Sequence, residues 1–308
     1  MSTVGPVAEQ LEAQAEARAA SGALPPAGKR VEWLYFAVRN RKLVIGFTVV
    51  SLCLVVALVG PWLVDADPFA FGYGTGLPPS SEHLLGTTAP GQDVLAQLVY
   101  GLRASFVVGV VSASIASVIA MTVGFVAGYR GGVVDEVLSM LTNVVLVIPT
   151  LAVLIIVAAY LSVRGLVTEA LLIGVTSWPW AARAIRAQTF SLASRDFVSL
   201  ARLSGARGRH VIVREIAPNM ASYLFLVFIL LFGGSILTAA FLDFLGLGPT
   251  NAMSLGVMMN NAVVSGALPL GMWWWFIPPG LAIMAVVGGL YVMNVGLDEI
   301  FNPRLREL

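Results

Sequence analysis

The residues best equipped for chemistry in this chain are few and scattered. Its two histidines, His83 and His210, are far apart, and no His-Glu-x-x-His or Cys-x-x-Cys spacing gathers metal ligands on one face. The single cysteine, Cys53, stands in an apolar run. It has no partner for an intramolecular disulfide and reads as a small packed hydrophobe. The glycine-rich pieces Gly128-Tyr-Arg-Gly-Gly132 and Gly246-Leu-Gly248 lack the Gly-x-x-x-x-Gly-Lys-Ser/Thr spacing whose backbone amides cradle phosphate. They read as turns or caps at helix ends. Glu169 is the clearest ionisable residue inside an apolar segment, which makes it a functional suspect. Standing near the start of its helix, it reads rather as reaching the interface or capping the helix. No paired carboxylates and no Ser–His arrangement mark an intramembrane hydrolase. A proton-coupled carrier also has little intramembrane charge to work with.

The elements that must position these residues are membrane spans. The 308 residues are 58% hydrophobic and 11% charged, against about 25% charged in ordinary soluble domains. Such a chain could not cover its surface in water. Spanning a bilayer takes about 20 mainly apolar residues, and six stretches qualify: 43–64, 104–128, 137–160, 166–184, 220–242 and 271–295. The fourth is the least clean, with Glu169 and the Trp178-Pro179-Trp180 break. Pro278-Pro279 predicts a kink in the sixth. With the N-terminus inside, sixteen of the eighteen basic residues fall on the inner side, leaving Arg103 and Arg164 outside. This strong bias fits the positive-inside arrangement and puts both termini in the cytoplasm. His83 and His210 then lie on opposite sides of the membrane. The expected class is an all-α, multi-pass cell-membrane protein with six transmembrane helices. The expected divisions are a flexible tail 1–42, a first span 43–65, an extracytoplasmic loop 66–103, a core 104–296 and a tail 297–308. No basic n-region or apolar stretch marks the tail as a signal peptide, and within it 7–20 can form a transient helix. No internal repeat of the secondary-transporter kind is visible. Trp273-Trp274-Trp275-Phe276 reads as an interfacial aromatic belt.

The most basic stretch is the inner segment 183–219, with seven arginines. They are interspersed with apolar residues and carry no interleaved aromatics, so lipid head groups or a partner protein fit them better than nucleic acid. Phe197, Leu200, Ala201 and Leu203 recur near helical spacing, and Gly205 ends that helix. A second short helix follows Gly208, with Val211, Ile212 and Ile216 on its apolar side, and Pro218 stands where the fifth span begins. On pattern alone this is an amphipathic interfacial helix, a glycine turn and a second helix returning to the membrane.

The stretch resembles the cytoplasmic coupling-loop motif of ATP-binding-cassette importer permeases, written Glu-Ala-Ala, three residues, Gly, nine residues, Ile-x-Leu-Pro. Ser199-Leu200-Ala201 aligns with its opening, Gly205 with its glycine and Ile216-Ala217-Pro218 with its end. Ser199 replaces the glutamate and Leu200 the first alanine. His83-Leu-Leu-Gly86-Thr87, Gly91-Gln-Asp93 and Tyr100-Gly-Leu-Arg103 resemble the outer-loop signature of the C-type permease of dipeptide and oligopeptide importers, with Gln92 where arginine is usual. Gly128-Tyr-Arg-Gly-Gly132 with Asp135, Ile148-Pro149, Arg183-Ala-Ile-Arg186, Phe244-Leu-Gly-Leu-Gly248 and Gly296-Leu-Asp-Glu-Ile-Phe-Asn-Pro-Arg304 follow in order. Val295 and Asp298 stand for an expected aspartate and arginine.

The resemblance implies a non-catalytic permease of type I importer architecture. Its implied partners are a homologous B-type permease, two cytoplasmic ATPases, an extracytoplasmic solute-binding protein and membrane lipid, with no nucleic acid. ATP and Mg would be bound by the ATPases, and this chain needs no cofactor of its own. Coupling to the ATPase is implied for Phe197, Ser199, Leu200, Ala201, Arg202, Leu203, Gly205, Ala206 and Arg207, within a loop at 195–217. The signature-loop residues are His83, Gly86, Thr87, Gly91 and Asp93. Di- or oligopeptides are the implied cargo. Nickel chelates, glutathione, haem and sugar oligomers use similar permeases, and an ATP-independent transporter is the rival class.

Overall fold

The computed structural model describes residues 38–301, apart from Asp65 and Ser162. The tails expected over 1–42 and 297–308 therefore lie outside the described residues at 1–37 and 302–308. The named elements are all helical. Among the described residues, β pairing is confined to one isolated bridge, Thr87 with Asp93.

Helix α1, Arg41–Leu63, starts where the Asn40 side chain accepts from Leu43 N–H at 2.9 Å. Helix α2, Val94–Arg130, begins ten residues before the expected second span. The reason is local: Asp93 accepts from Ala96 N–H at 2.8 Å, so residues 94–103 belong to the helix and not to the loop. It ends at Gly131, whose φ of +63° suits only glycine well. The expected third span is broken. Helix α3, Gly132–Val147, and helix α4, Thr150–Tyr160, meet at 75°. Pro149 supplies no N–H, and Ile148 before it is driven out of the helical region to φ −72°, ψ 126°. The expected fourth span divides too, into α5, Leu166–Thr176, and α6, Pro179–Ala193, with Pro179 in the first turn.

Helix α7 is Asp196–Leu203. Three short helical pieces then run in series: Gly208–His210, a π-helical turn Val211–Ile216, and Ala217–Asn219. They lead into α8, Ala221–Phe244. The long 243–270 segment contains a further helix, α9, Leu255–Val264, and α10, Trp273–Phe301, is assigned as one element through Pro278-Pro279. By length and composition α1, α2, α8 and α10 can each cross a membrane, and the bent α3–α4 pair makes a fifth. The expected fourth crossing is not among them: α5 has 11 residues, too few to cross alone.

Helix α2 runs through the middle, against α1, α3, α5, α6, α8, α9 and α10. Small residues allow this. A Cβ on Gly109 would meet Phe232 and Ile236 of α8, and one on Gly124 would lie 2.8 Å from the Ala182 carbonyl oxygen of α6. Ala113, Ala116 and Ala120 are fully buried along the same helix. In lipid, helices gain nothing from escaping water, so this close backbone approach is a main source of association. Helices α1 and α10 meet the same way, where a Cβ on Gly46 would stand 2.6 Å from the Gly289 oxygen. Lys42 and Asn40 then bond Glu299 at the end of that pair.

Gly46→Val should separate α1 from α10 and destabilise the protein by about 1–3 kcal/mol, the usual range for overpacking. A thermal-stability assay in detergent checks this, with Gly280→Val as the tolerated control, since no atom stands within 4 Å of a Cβ there.

Candidate functional site

The two ends of α2 carry the two groups of residues singled out from the sequence. At the Arg130 end lies α7. Its termination is a Schellman motif: Gly205 N–H donates to the Arg202 carbonyl at 3.0 Å and Ala206 N–H to the Ala201 carbonyl at 3.1 Å. Gly205 takes φ +79° to make this turn and otherwise faces open space.

The helix has two apolar stripes. Val198 is fully buried, and Phe197 and Ala201 pack half-buried against the main core. Leu200 and Leu203 point the other way and are 64% and 84% exposed. Ser199, Arg202, Gly205 and Arg207 share the exposed side, while Ala206 packs inward. Val198 is the buried residue of α7 and was not singled out from the sequence. The signal was available, because an eight-residue helix with apolar residues on opposite faces must touch two bodies.

Three contacts fix α7 to the bundle. The Arg202 guanidinium lies 4.6 Å from the Tyr129 ring centroid, in the last turn of α2. A Cβ on Gly208 would stand 3.0 Å from the same ring, so the chain after α7 passes directly over it. Val211 and Ile216, at the two ends of the π-helical turn, are fully buried. Helix α6, which delivers the chain to α7, is seated equally closely. A Cβ on Gly128 would lie 2.6 Å from the Arg186 carbonyl oxygen. Arg186 grips Asp135 of α3 through Nε and through Nη2, the latter at 2.6 Å, and Ser139 donates to Asp135 at 3.0 Å. Arg183 donates to Asn143 Oδ1 at 2.6 Å. These groups surround a hollow of about 270 Å³. The motif pieces Gly128-Tyr129, Asp135, Arg183 and Arg186, distant in sequence, thus converge on one structure beside α7.

At the Val94 end, the other group forms a compact clasp. His83 Nδ1 and Asp93 Oδ2 are 2.8 Å apart, and the Tyr73 ring meets the His83 ring edge-on. Asp93 also caps α2. Thr87 accepts from Leu77 N–H, donates to the Gly74 carbonyl at 2.7 Å, and its own carbonyl accepts from Trp274 Nε1 at 3.1 Å. Gly86 and Gly91 take φ of +71° and +85° in the turns between them. The Trp274 contact ties this clasp to α10 and gives one of the aromatic-belt residues a specific partner. Among the described residues, no three His, Cys, Asp or Glu side chains gather as metal ligands.

Glu169 departs from expectation. It makes no cap and does not reach the surface: it is 8% exposed and turned into the bundle. Its place in the first turn of α5 suits the helix dipole, while the side chain lies against α8.

Residues 120–307 match the family described as the binding-protein-dependent transport system inner membrane component. The chain is 32% identical over 276 residues to the oligopeptide transport system permease protein OppC of Mycobacterium tuberculosis, covering 88% of this chain and 93% of that protein. It is 30% identical over 270 residues to the dipeptide transport system permease protein DppC of Bacillus subtilis, covering 87% and 83%. With DppC of Haemophilus influenzae it shares 30% over 285 residues, covering 89% and 94%.

Replacing Arg186 by Lys should fail to restore what Arg186→Ala loses, because an ammonium cannot reproduce the two-pronged grip on Asp135. A double-mutant cycle with Asp135→Ala, read by thermal unfolding, should give a coupling of about 1 kcal/mol.

Proposed function

The chain belongs to the family of binding-protein-dependent transport system inner membrane components, and from that premise we propose that it is the C-type permease subunit of an ATP-driven importer of di- or oligopeptides. The names and length coverage of its relatives support the cargo class. In this reading the chain crosses the membrane six times with its N-terminus inside, and α7 lies on the cytoplasmic face. A B-type permease completes the path, a solute-binding protein delivers peptide from outside, and two ATPases bind ATP and Mg below. Lipid surrounds the exposed apolar faces. The subunit itself catalyses nothing.

One observation carries the mechanism. Helix α7 presents Leu200 and Leu203 outward while Val198 fastens it inward. An ATPase cleft that encloses the two leucines buries apolar area worth roughly 1.5–3 kcal/mol for each side chain. The exposed arginines Arg202 and Arg207 would add little, since screened surface pairs give about 0–1 kcal/mol. A push on α7 passes to α2 through Val198, Tyr129 and the π-helical turn, and to α3 through Arg186 and Asp135. Ser199, where the family motif has glutamate, is a neutral contact on the same exposed face.

Leu200→Asp should lower binding-protein-dependent peptide uptake in proteoliposomes by about tenfold or more, equivalent to about 1.4 kcal/mol of lost docking, while the complex still assembles. Gly205→Pro should do the same by removing the φ +79° turn, since proline is locked near −65°. Uptake at the normal rate in either variant would refute the coupling assignment.

A further inference from the structure

Two carboxyl groups are buried against each other near the Val94 end of the bundle. Glu169 lies in the first turn of α5 and Asp243 in the last turn of α8, and their side chains face one another. Glu169 is 8% exposed and Asp243 2%. Ser254 donates its hydroxyl to Asp243 Oδ2, and Gly248 and Gly256 press on the same side chain, fixing it in place. The remaining oxygens, Glu169 Oε1 and Oε2 and Asp243 Oδ1, have no donor.

Among the described residues, no cationic side chain is directed at the pair. Val108 of α2, Leu154 of α4, Ile173 of α5 and Leu242 of α8 form the apolar cluster around it. Ser112 of α2 spends its hydroxyl on the Ala170 carbonyl, and Asn260 of α9 spends its amide on the Phe244 carbonyl. The one cationic group lining the adjoining hollow is Arg164, whose guanidinium is directed to the carbonyls of Gly246 and Ala159 at 3.2 and 3.5 Å. Two ionised carboxylates are acceptors only. Side by side in an apolar layer they repel and pay full desolvation with nothing in return. One hydrogen between them removes a charge and supplies the missing donor. The hollow beside Glu169 is about 20 Å³, room for a single water and not for a metal ion with its ligands.

We propose that Glu169 and Asp243 hold one proton between them, forming a carboxylic acid–carboxylate hydrogen bond that clips α5 to α8. Loss of that proton leaves two negative charges facing each other and unclips the helices at this end. The two side chains are apart in the unfolded chain, so their mutual repulsion burdens the native fold alone. Stability therefore falls as pH rises until the native pair also ionises.

The test is thermal unfolding of the assembled transporter in lipid nanodiscs from about pH 6 to about pH 9, for wild type, Glu169→Gln and Asp243→Asn. Wild type should lose about 2–4 °C or more in Tm across the range. Each amide variant supplies a permanent donor, so it should match wild type at the acid end and lose most of the pH-dependent fall. Infrared spectroscopy of wild type gives a second reading: a protonated-carboxyl C=O band present at neutral pH and absent from Glu169→Gln. A wild-type Tm as pH-dependent as that of both amide variants, or no protonated-carboxyl band at neutral pH, overturns the proposal.

Discussion

Everything in this bundle depends on one helix lying flush against its neighbours. Along α2, glycine and alanine stand where other helices cross, so backbone meets backbone at Gly124 and Gly128, and the Phe232 and Ile236 side chains seat against Gly109. In a membrane this is a matter of necessity. Lipid tails are as apolar as leucine, so burying a large side chain gives little advantage over leaving it in lipid, and close dispersion contact must hold the helices. Val107, Val110, Val111 and Val118 of α2 lie on the outside, while Leu102, Phe106 and Phe125 of the same helix fill the spaces between the crossings.

From that constraint follows the way the two ends are joined. Helix α2 has 37 residues, a rod of about 55 Å at the helical rise. One end is capped by Asp93, which also holds His83; the other carries Tyr129 under Arg202. The signature clasp and the α7 segment are therefore attached to opposite ends of one rigid body. Helix α6 strengthens the linkage, since the Arg186–Asp135 grip and the Gly128 contact bind it to both α3 and α2. The π-helical turn Val211–Ile216 is the exception to this regularity, and such turns are frequent at functional sites.

Much of this was legible in the sequence because the signals are local. Apolar runs located the long helices, and Gly205 marked the end of α7 through the backbone angle that only glycine takes easily. What was not legible depends on tertiary contact. Asp93 could cap α2 ten residues early, but its partnership with His83 is needed to see why the loop closes there. Val198 and Leu200 are both apolar, and only the packing on the core distinguishes inward from outward. Glu169 read as a residue near a helix start, and what turned it inward is Asp243, 74 positions away in the sequence. The proline at Ile148-Pro149 was visible, but the 75° angle it introduces was not.

That bend has a consequence for the outer surface of the subunit. The turn between α3 and α4 interrupts the helical ladder about 24 Å along from the start of α3, and the last carbonyls of α3 have no partners within their own helix. Val147 is 84% exposed and Ile148 and Pro149 are open as well. Broken backbone at membrane depth survives only against protein or a water-filled cavity. The bend therefore leaves end-of-helix carbonyls and bare apolar side chains side by side, a stretch of surface that neither water nor lipid alone suits.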